Sequence, residues 1–131
     1  MNIIVTGGAG FIGSELIRYL IKNTKHDVLN IDKLTYAGNL DSLAPIADHK
    51  RYSFKKIDIA DRINIHKAFF GFQPDIVFHL AAESHVDRSI SGPLDFINTN
   101  VLGTGVMLDV AYEYWSKSLG NKSNKFRFHH I

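Results

Sequence analysis

Short apolar runs alternate along this chain with stretches in which apolar positions recur at helical spacing. That alternation predicts an α/β protein with a parallel sheet. Residues 3–5, 28–31, 51–57, 76–80 and 126–131 read as strands one to five. Ile12, Leu16, Ile17, Leu20 and Ile21 recur three and four apart and predict a helix over residues 11–22. Asp61 caps a second helix over 62–70, with Gly71 as its stop. Pro93 suits the first turn of a long helix over 93–115, with Leu94, Ile97, Val101, Met107, Leu108 and Ala111 on its apolar side. Residues 33–39 form a loop, after which Asn39 or Asp41 caps a short helix. Residues 118–124 form a polar loop. No internal repeat, low-complexity tract or second domain is expected.

Strand one runs directly into Gly7-x-x-Gly10-x-x-Gly13, and a helix follows. Such a turn leaves free backbone N–H groups at a helix N-terminus, where they and the helix dipole attract phosphate. Gly7 permits the tight turn, Gly10 admits a pyrophosphate close to the backbone, and Gly13 lets the helix lie near the strand. No Gly-Lys-Ser/Thr follows, so the turn is not a nucleoside-triphosphate loop. Asp32 ends strand two, 22 residues past Gly10, near the spacing expected of an acid that holds an adenosine ribose. Its charge would repel a 2′-phosphate and favours NAD over NADP, although Lys33 beside it would welcome one. The ends of strands one to four, at 7–13, 32–35, 58–59 and 80–84, are expected on one rim, the usual place for ligands of parallel sheets.

Composition adds mostly exclusions. With 131 residues, 45% hydrophobic and 21% charged, the chain suffices for one modest domain with a core. A formal charge of +2 is too small to argue for nucleic acid or an anionic membrane. There are no cysteines, hence no disulfide, thiolate metal site or cysteine nucleophile. No apolar run approaches a membrane span, and strand one begins too early to leave room for a signal peptide. A cytoplasmic location is the expectation.

Thr6-Gly7-Gly8-Ala9-Gly10-Phe11-Ile12-Gly13 resembles the opening turn of the extended short-chain dehydrogenase/reductase family. Three further stretches narrow the resemblance to its dTDP-glucose 4,6-dehydratase group. They are Asp32-Lys33-Leu34-Thr35-Tyr36-Ala37-Gly38-Asn39, then Leu80-Ala81-Ala82-Glu83-Ser84-His85-Val86-Asp87-Arg88-Ser89, and Arg127-Phe128-His129-His130-Ile131. The resemblance covers the whole chain and about the first third of a usual member. It implies a Rossmann-type doubly wound parallel sheet, truncated here at strand five. It also implies an NAD-dependent lyase acting on a dTDP-sugar: a hydride leaves C4, water is eliminated across C5 and C6, and the hydride returns to C6. On this resemblance Gly7, Gly10, Phe11, Ile12 and Gly13 cradle the pyrophosphate. Asp32, Lys33, Leu34 and Thr35 surround the adenosine ribose, and Asp58 accepts from the adenine amino group beside Ile59. Leu80, Ala81, Ala82, Glu83 and Ser84 pass under the nicotinamide side, Thr99 joins that wall, and Ser84 also faces the sugar nucleotide. Asn100 is a scaffold residue tying the long helix to strand four. His85, Asp87 and Arg88 are second-tier substrate-side candidates. His129 and His130 sit in a strand and point to opposite sides, one to the core and one to the rim, a poor joint metal site.

Members of this family act through a Tyr-x-x-x-Lys pair on a later helix, and the dehydratases through a Thr-Asp-Glu stretch after strand five. Catalytic residues are therefore expected beyond Ile131. Tyr52-Ser53-Phe54-Lys55-Lys56 matches Tyr-x-x-x-Lys formally. In a strand, however, four residues span about 13 Å, against about 6 Å for one helical turn. These residues are expected to carry most of an NAD site without the C-terminal substrate domain and without dehydrating a sugar alone. The fifth strand leaves an edge for a sixth to cover. In the family, the long helix and the Tyr-Lys helix form a homodimer interface. The competing readings are a nucleotide-sugar epimerase or decarboxylase of the same superfamily and a non-catalytic NAD-binding module.

Overall fold

The computed structural model describes residues 1–118 and 120–131, and among these every side chain except those of Arg88, Asn121, Lys122 and Ser123. Five strands, β1 (Asn2–Thr6), β2 (Asp27–Asp32), β3 (Tyr52–Lys56), β4 (Ile76–His79) and β5 (Arg127–His130), form one sheet in the order β3-β2-β1-β4-β5. Every neighbouring pair is parallel. This is the expected α/β architecture. The first strand is central because its neighbours cover both of its faces and both of its edges.

Alternation along β1 assigns the two layers. Ile3 and Val5 pack with Ile17, Leu20, Ile21 and Leu43, from α1 (Phe11–Asn23) and the 3₁₀ turn Leu40–Ile46. Ile4 points the other way. It joins Leu29, Ile31 and Val77 beneath Ile65 and Phe69 of α2 (Arg62–Phe72) and Met107, Val110 and Tyr114 of α5 (Thr104–Ser118). Each fully buried aliphatic or aromatic side chain contributes roughly 1.5–3 kcal/mol. Asn39 caps the 3₁₀ turn, its side chain accepting from the Asp41 N–H at 2.8 Å.

Three expectations are corrected. The second helix does not stop at Gly71. Asp61 caps its start as expected, but it runs to Phe72 and closes at Gln73, whose φ of 55° is left-handed. Phe72 has a place against the core, and Pro74, which biases its predecessor away from helix, supplies the stop. The Gly71 position is open, with nothing within 4 Å of an added Cβ. Gly71→Ala is expected to stabilise the fold by about 0.5–1 kcal/mol, because alanine is the better helix former. A lower urea midpoint in that variant would contradict the open geometry.

The long helix is also more complicated than its periodicity. Val86–Ser91 forms a separate short helix, α3; Pro93–Phe96 (α4) then leads through a π-wound segment, Ile97–Gly103, into α5. Met107 and Ala111 are buried, but Leu94, Ile97, Val101 and Leu108 are 75%, 54%, 66% and 48% exposed. Thr99, Gly103, Met107, Val110 and Tyr114 form the buried face instead. This run carries two faces with helical periodicity, and the sheet takes the one with small residues near the cavity. The third correction concerns β5. His129 and His130 are both exposed and Phe128 alone is half-buried, because this is an edge strand. Residues 120–125 wind as a 3₁₀ turn, and Leu119 of the expected polar loop lies outside the described residues.

Candidate functional site

The strand order places β1 between β2 and β4, so connections leave the centre of the sheet in both directions beyond its carboxyl edge. A cavity of about 430 Å³ opens there. It is bordered by Gly7, Gly10, Phe11, Ile12 and Gly13 after β1, by Asp32 at the end of β2 with Lys33 and Thr35 after it, by Ile59 after β3, and by Leu80, Ala81, Ala82, Glu83 and Ser84 after β4. Thr99 enters from the π-wound segment. Four strand ends distant in sequence thus share one crevice. Of the cofactor-binding candidates, Leu34 and Asp58 do not border it, and neither do the substrate-side candidates His85 and Asp87. Leu34 has a left-handed backbone, φ 56°, and donates its N–H to Asp32 Oδ1 at 2.8 Å. Asp58 reaches the cavity wall through Lys33, whose Nζ lies 3.5 Å from Asp58 Oδ2.

The glycine turn is built as tightly as its letters imply. Gly7 has φ +70°, and a Cβ there would stand 2.7 Å from the Ala81 backbone nitrogen. At Gly13 a Cβ would stand 2.3 Å from the Gly7 carbonyl oxygen, so α1 begins in direct contact with the turn. No side chain caps α1 at Gly10. The first-turn N–H groups, which have no intrahelical partner, therefore face the cavity at the positive end of the helix dipole.

Asp32 fixes the second wall. Its Oδ2 accepts the Ala9 N–H at 3.0 Å while Oδ1 accepts from Leu34, which joins the glycine turn to the end of β2. Each carboxylate oxygen keeps a lone pair for a further donor. The fourth wall is pinned by Asn100, whose side chain accepts from the Glu83 N–H at 2.8 Å and donates to the Glu83 carbonyl at 2.9 Å. Asn100 thus ties the helix to the loop after β4 rather than to the strand itself. Tyr36 donates its hydroxyl to Glu83 Oε2 at 3.1 Å, closing the β2 loop onto the β4 loop. His85 meets the Tyr36 ring edge-on, with centroids 6.0 Å apart, and Asp87 is exposed. The Arg88 side chain lies outside the described residues.

Sequence reasoning missed two features. Ile31, Ile57, Ala37, Gly38 and Ile131 also line the cavity, and the isoleucines make part of its wall apolar. Beneath the β4 rim lies a buried polar chain: Thr6 Oγ1 is 2.7 Å from His79 Nδ1, His79 Nε2 is 3.1 Å from Thr104 Oγ1, and the Ala81 N–H donates to Thr6 Oγ1 at 3.2 Å. Thr6 and His79 are register partners at the ends of adjacent strands, a signal that becomes legible once the pairing is known. Burial, aided by His130, pushes the His79 imidazole down to about 4. Its ring is therefore neutral at pH 7 and bridges three elements.

Tyr52 and Lys56 occupy opposite ends of the extended β3. The Tyr52 hydroxyl accepts from Asn30 Nδ2 at 3.1 Å. Burial pushes the Tyr52 hydroxyl up, the opposite of what a lysine-assisted base requires. The formal Tyr-x-x-x-Lys match is structural.

Residues 4–131 match the family described as GDP-mannose 4,6 dehydratase. A dTDP-glucose 4,6-dehydratase of Salmonella typhimurium is 59% identical over 131 residues, all of this chain and 36% of the relative. Among solved structures, a dTDP-glucose 4,6-dehydratase from Bacillus anthracis in complex with NAD superposes with a TM-score of 0.82 at 30% identity, over 99% of this chain and 36% of that one. DesIV, a dTDP-glucose 4,6-dehydratase from Streptomyces venezuelae solved with NAD bound, gives 0.81 at 43% identity, over 86% of this chain and 36% of that one. The chain thus spans about 36% of the length of the curated relative it matches.

Proposed function

Because the chain belongs to the GDP-mannose 4,6 dehydratase family, we propose that its 131 residues form the NAD-binding part of a dTDP-glucose 4,6-dehydratase. The observation that supports this reading most is the single cavity in which the uncapped start of α1, the Asp32 carboxylate and the β4 loop meet. A dinucleotide needs those three things: donors for a pyrophosphate, an acceptor for ribose hydroxyls, and a floor for the nicotinamide. When bound, NAD would supply a reversible hydride acceptor for a dehydration in which C4 of the sugar is oxidised, water leaves across C5 and C6, and C6 is reduced.

The residues present hold and orient. The Phe11, Ile12 and Gly13 N–H groups receive the pyrophosphate, and Gly7 and Gly10 keep side chains out of its way. Asp32, Lys33, Leu34 and Thr35 set the adenosine ribose, and Asp58 with Ile59 sets the adenine. Leu80, Ala81, Ala82, Glu83 and Ser84 set the nicotinamide side, with Thr99 behind them. Ser84, exposed at the rim, faces the sugar nucleotide. Ile31, Ile57 and Ile131 exclude water from part of the wall. The described helices hold no tyrosine with a lysine four residues on, so proton transfer is assigned to residues outside these 131.

The exposed side chains of Leu94, Ile97, Val101 and Leu108 support a homodimer formed through this run, since apolar patches of that kind mark association surfaces. No helix among the described residues is long and apolar enough to cross a membrane.

The test has three readouts. NAD titrated into the 131-residue chain should give saturable binding. The same chain should give no product from dTDP-glucose, whereas the full-length protein should give the 4-keto-6-deoxy sugar and sediment as a dimer. Turnover of UDP-glucose without a keto product would favour an epimerase, and a titration without saturation would end the dinucleotide reading.

A further inference from the structure

We propose that Asp58 and Thr99 set the cofactor preference of the adenosine end by restraining Lys33. This rests on the dinucleotide reading above and deepens it. Asp32 and Lys33 are neighbours at the end of β2, one suited to ribose hydroxyls and the other to a phosphate. On sequence alone they pull in opposite directions. The structure resolves the conflict by what holds each. Asp32 is fixed by two backbone N–H groups, from Ala9 at 3.0 Å and Leu34 at 2.8 Å. Lys33 is turned the other way, its Nζ donating to Thr99 Oγ1 at 3.2 Å and pairing with Asp58 Oδ2 at 3.5 Å.

Both restraints are themselves anchored. Asp58 Oδ1 accepts the Ala60 N–H at 2.9 Å, holding the carboxylate in its turn. Thr99 is buried in the π-wound segment, and the adjacent Asn100 is bonded to Glu83. The lysine is thus clamped between the end of β3 and the long helix. Its charge is largely offset by Asp58, and its ammonium is held on Asp58 and Thr99 rather than on the Asp32 carboxylate that would face a 2′-substituent. A freed Lys33 would swing on its four-carbon stem and present a compact ammonium to a 2′-phosphate.

The experiment measures dissociation constants of NAD and NADP on the full-length protein and compares their ratio between variants. The ratio cancels any loss common to both dinucleotides, including loss of a contact from Asp58 to adenine. Asp58→Asn keeps an oxygen for Ala60 but removes the charge, and is expected to shift the ratio about tenfold toward NADP. Thr99→Val, a second route to the same release, should shift it about two- to threefold. The double variant Lys33→Met/Asp58→Asn should return the ratio to that of the parent. If the parent binds NAD and both single variants leave its ratio unmoved, the clamp is not the determinant. If the double variant keeps the gain, loss of the Asp58 charge or another cation such as Lys56 is responsible, and the proposal fails. A parent that binds neither dinucleotide removes the underlying reading and this inference with it.

Discussion

Gly13→Ala will cost the fold about 2–3 kcal/mol and weaken NAD binding at least about a hundredfold. The added Cβ would stand 2.3 Å from the Gly7 carbonyl oxygen and 2.8 Å from the Gly8 Cα. Those are backbone atoms of a turn that is itself fastened: Gly7 donates to the Ile31 carbonyl at 2.9 Å and accepts from the Gly10 N–H at 3.1 Å. The turn cannot yield, so the start of α1 must lift away. The N–H groups proposed to receive the pyrophosphate move with it, and a displacement of a fraction of an ångström is enough to break such bonds. Helix propensity works in the other direction, favouring alanine by about 1 kcal/mol, and is overwhelmed. Gly71→Ala is the internal control, because the same change in a helix with open space around it should stabilise. Urea denaturation of both variants, with NAD titration of the first, reads the result. A Gly13→Ala protein with parental stability and affinity would mean that α1 does not seat on the turn as described.

Acid will remove about 3 kcal/mol of stability through His79 alone. Its imidazole is fully buried between Thr6 and Thr104 and titrates at about 4, against an ordinary 6.5. Below pH 6.5 the unfolded chain binds a proton at this site, while the folded chain stays neutral until about pH 4. The stabilisation is therefore complete above pH 6.5, falls as pH drops toward 4, and is gone below it. Two effects make the protonated form costly: burial first, then repulsion from His130, whose ring lies 4.9 Å away. The Thr6 hydroxyl also accepts from the Ala81 N–H, so acid strain reaches the cavity rim and NAD affinity should decline over the same range. The check is urea denaturation at pH 7.0 and 4.5 on the parent and on His79→Gln, which can bond a threonine but does not titrate. Equal acid sensitivity in the two proteins would refute the assignment.

Much of this was legible in the residues. The alternation of apolar runs and helical spacings fixes five parallel strands, because a strand buried on both faces must be apolar throughout and a helix lying on it need be apolar along one stripe only. Asp61 was readable as a cap because a short acceptor side chain at a helix start has one local use; Asn39 and Asp41 were equally good caps by that rule, and the structure takes Asn39. The crevice was readable because the glycines, Asp32 and Leu80 all follow strands, and parallel strands end on the same side. The helix stop at Gln73 was not readable in the same way, since Gly71 and Pro74 were both valid stop signals and only the seat of Phe72 on the core chose between them.

The sequence by itself determined the layers, the strand ends and the chemistry available at them, because each follows from local pattern and from the direction of the chain. Tertiary structure alone decided which of two apolar faces on residues 93–115 is covered, which glycines tolerate a Cβ, and which way Lys33 turns. These depend on atoms brought from elsewhere: Ile59 against Gly103, the Gly7 carbonyl against Gly13, and Asp58 with Thr99 against the lysine. A periodicity records that a face is apolar, and a charge records that a group is ionised. Neither records what stands opposite, and the sign of an interaction is set there.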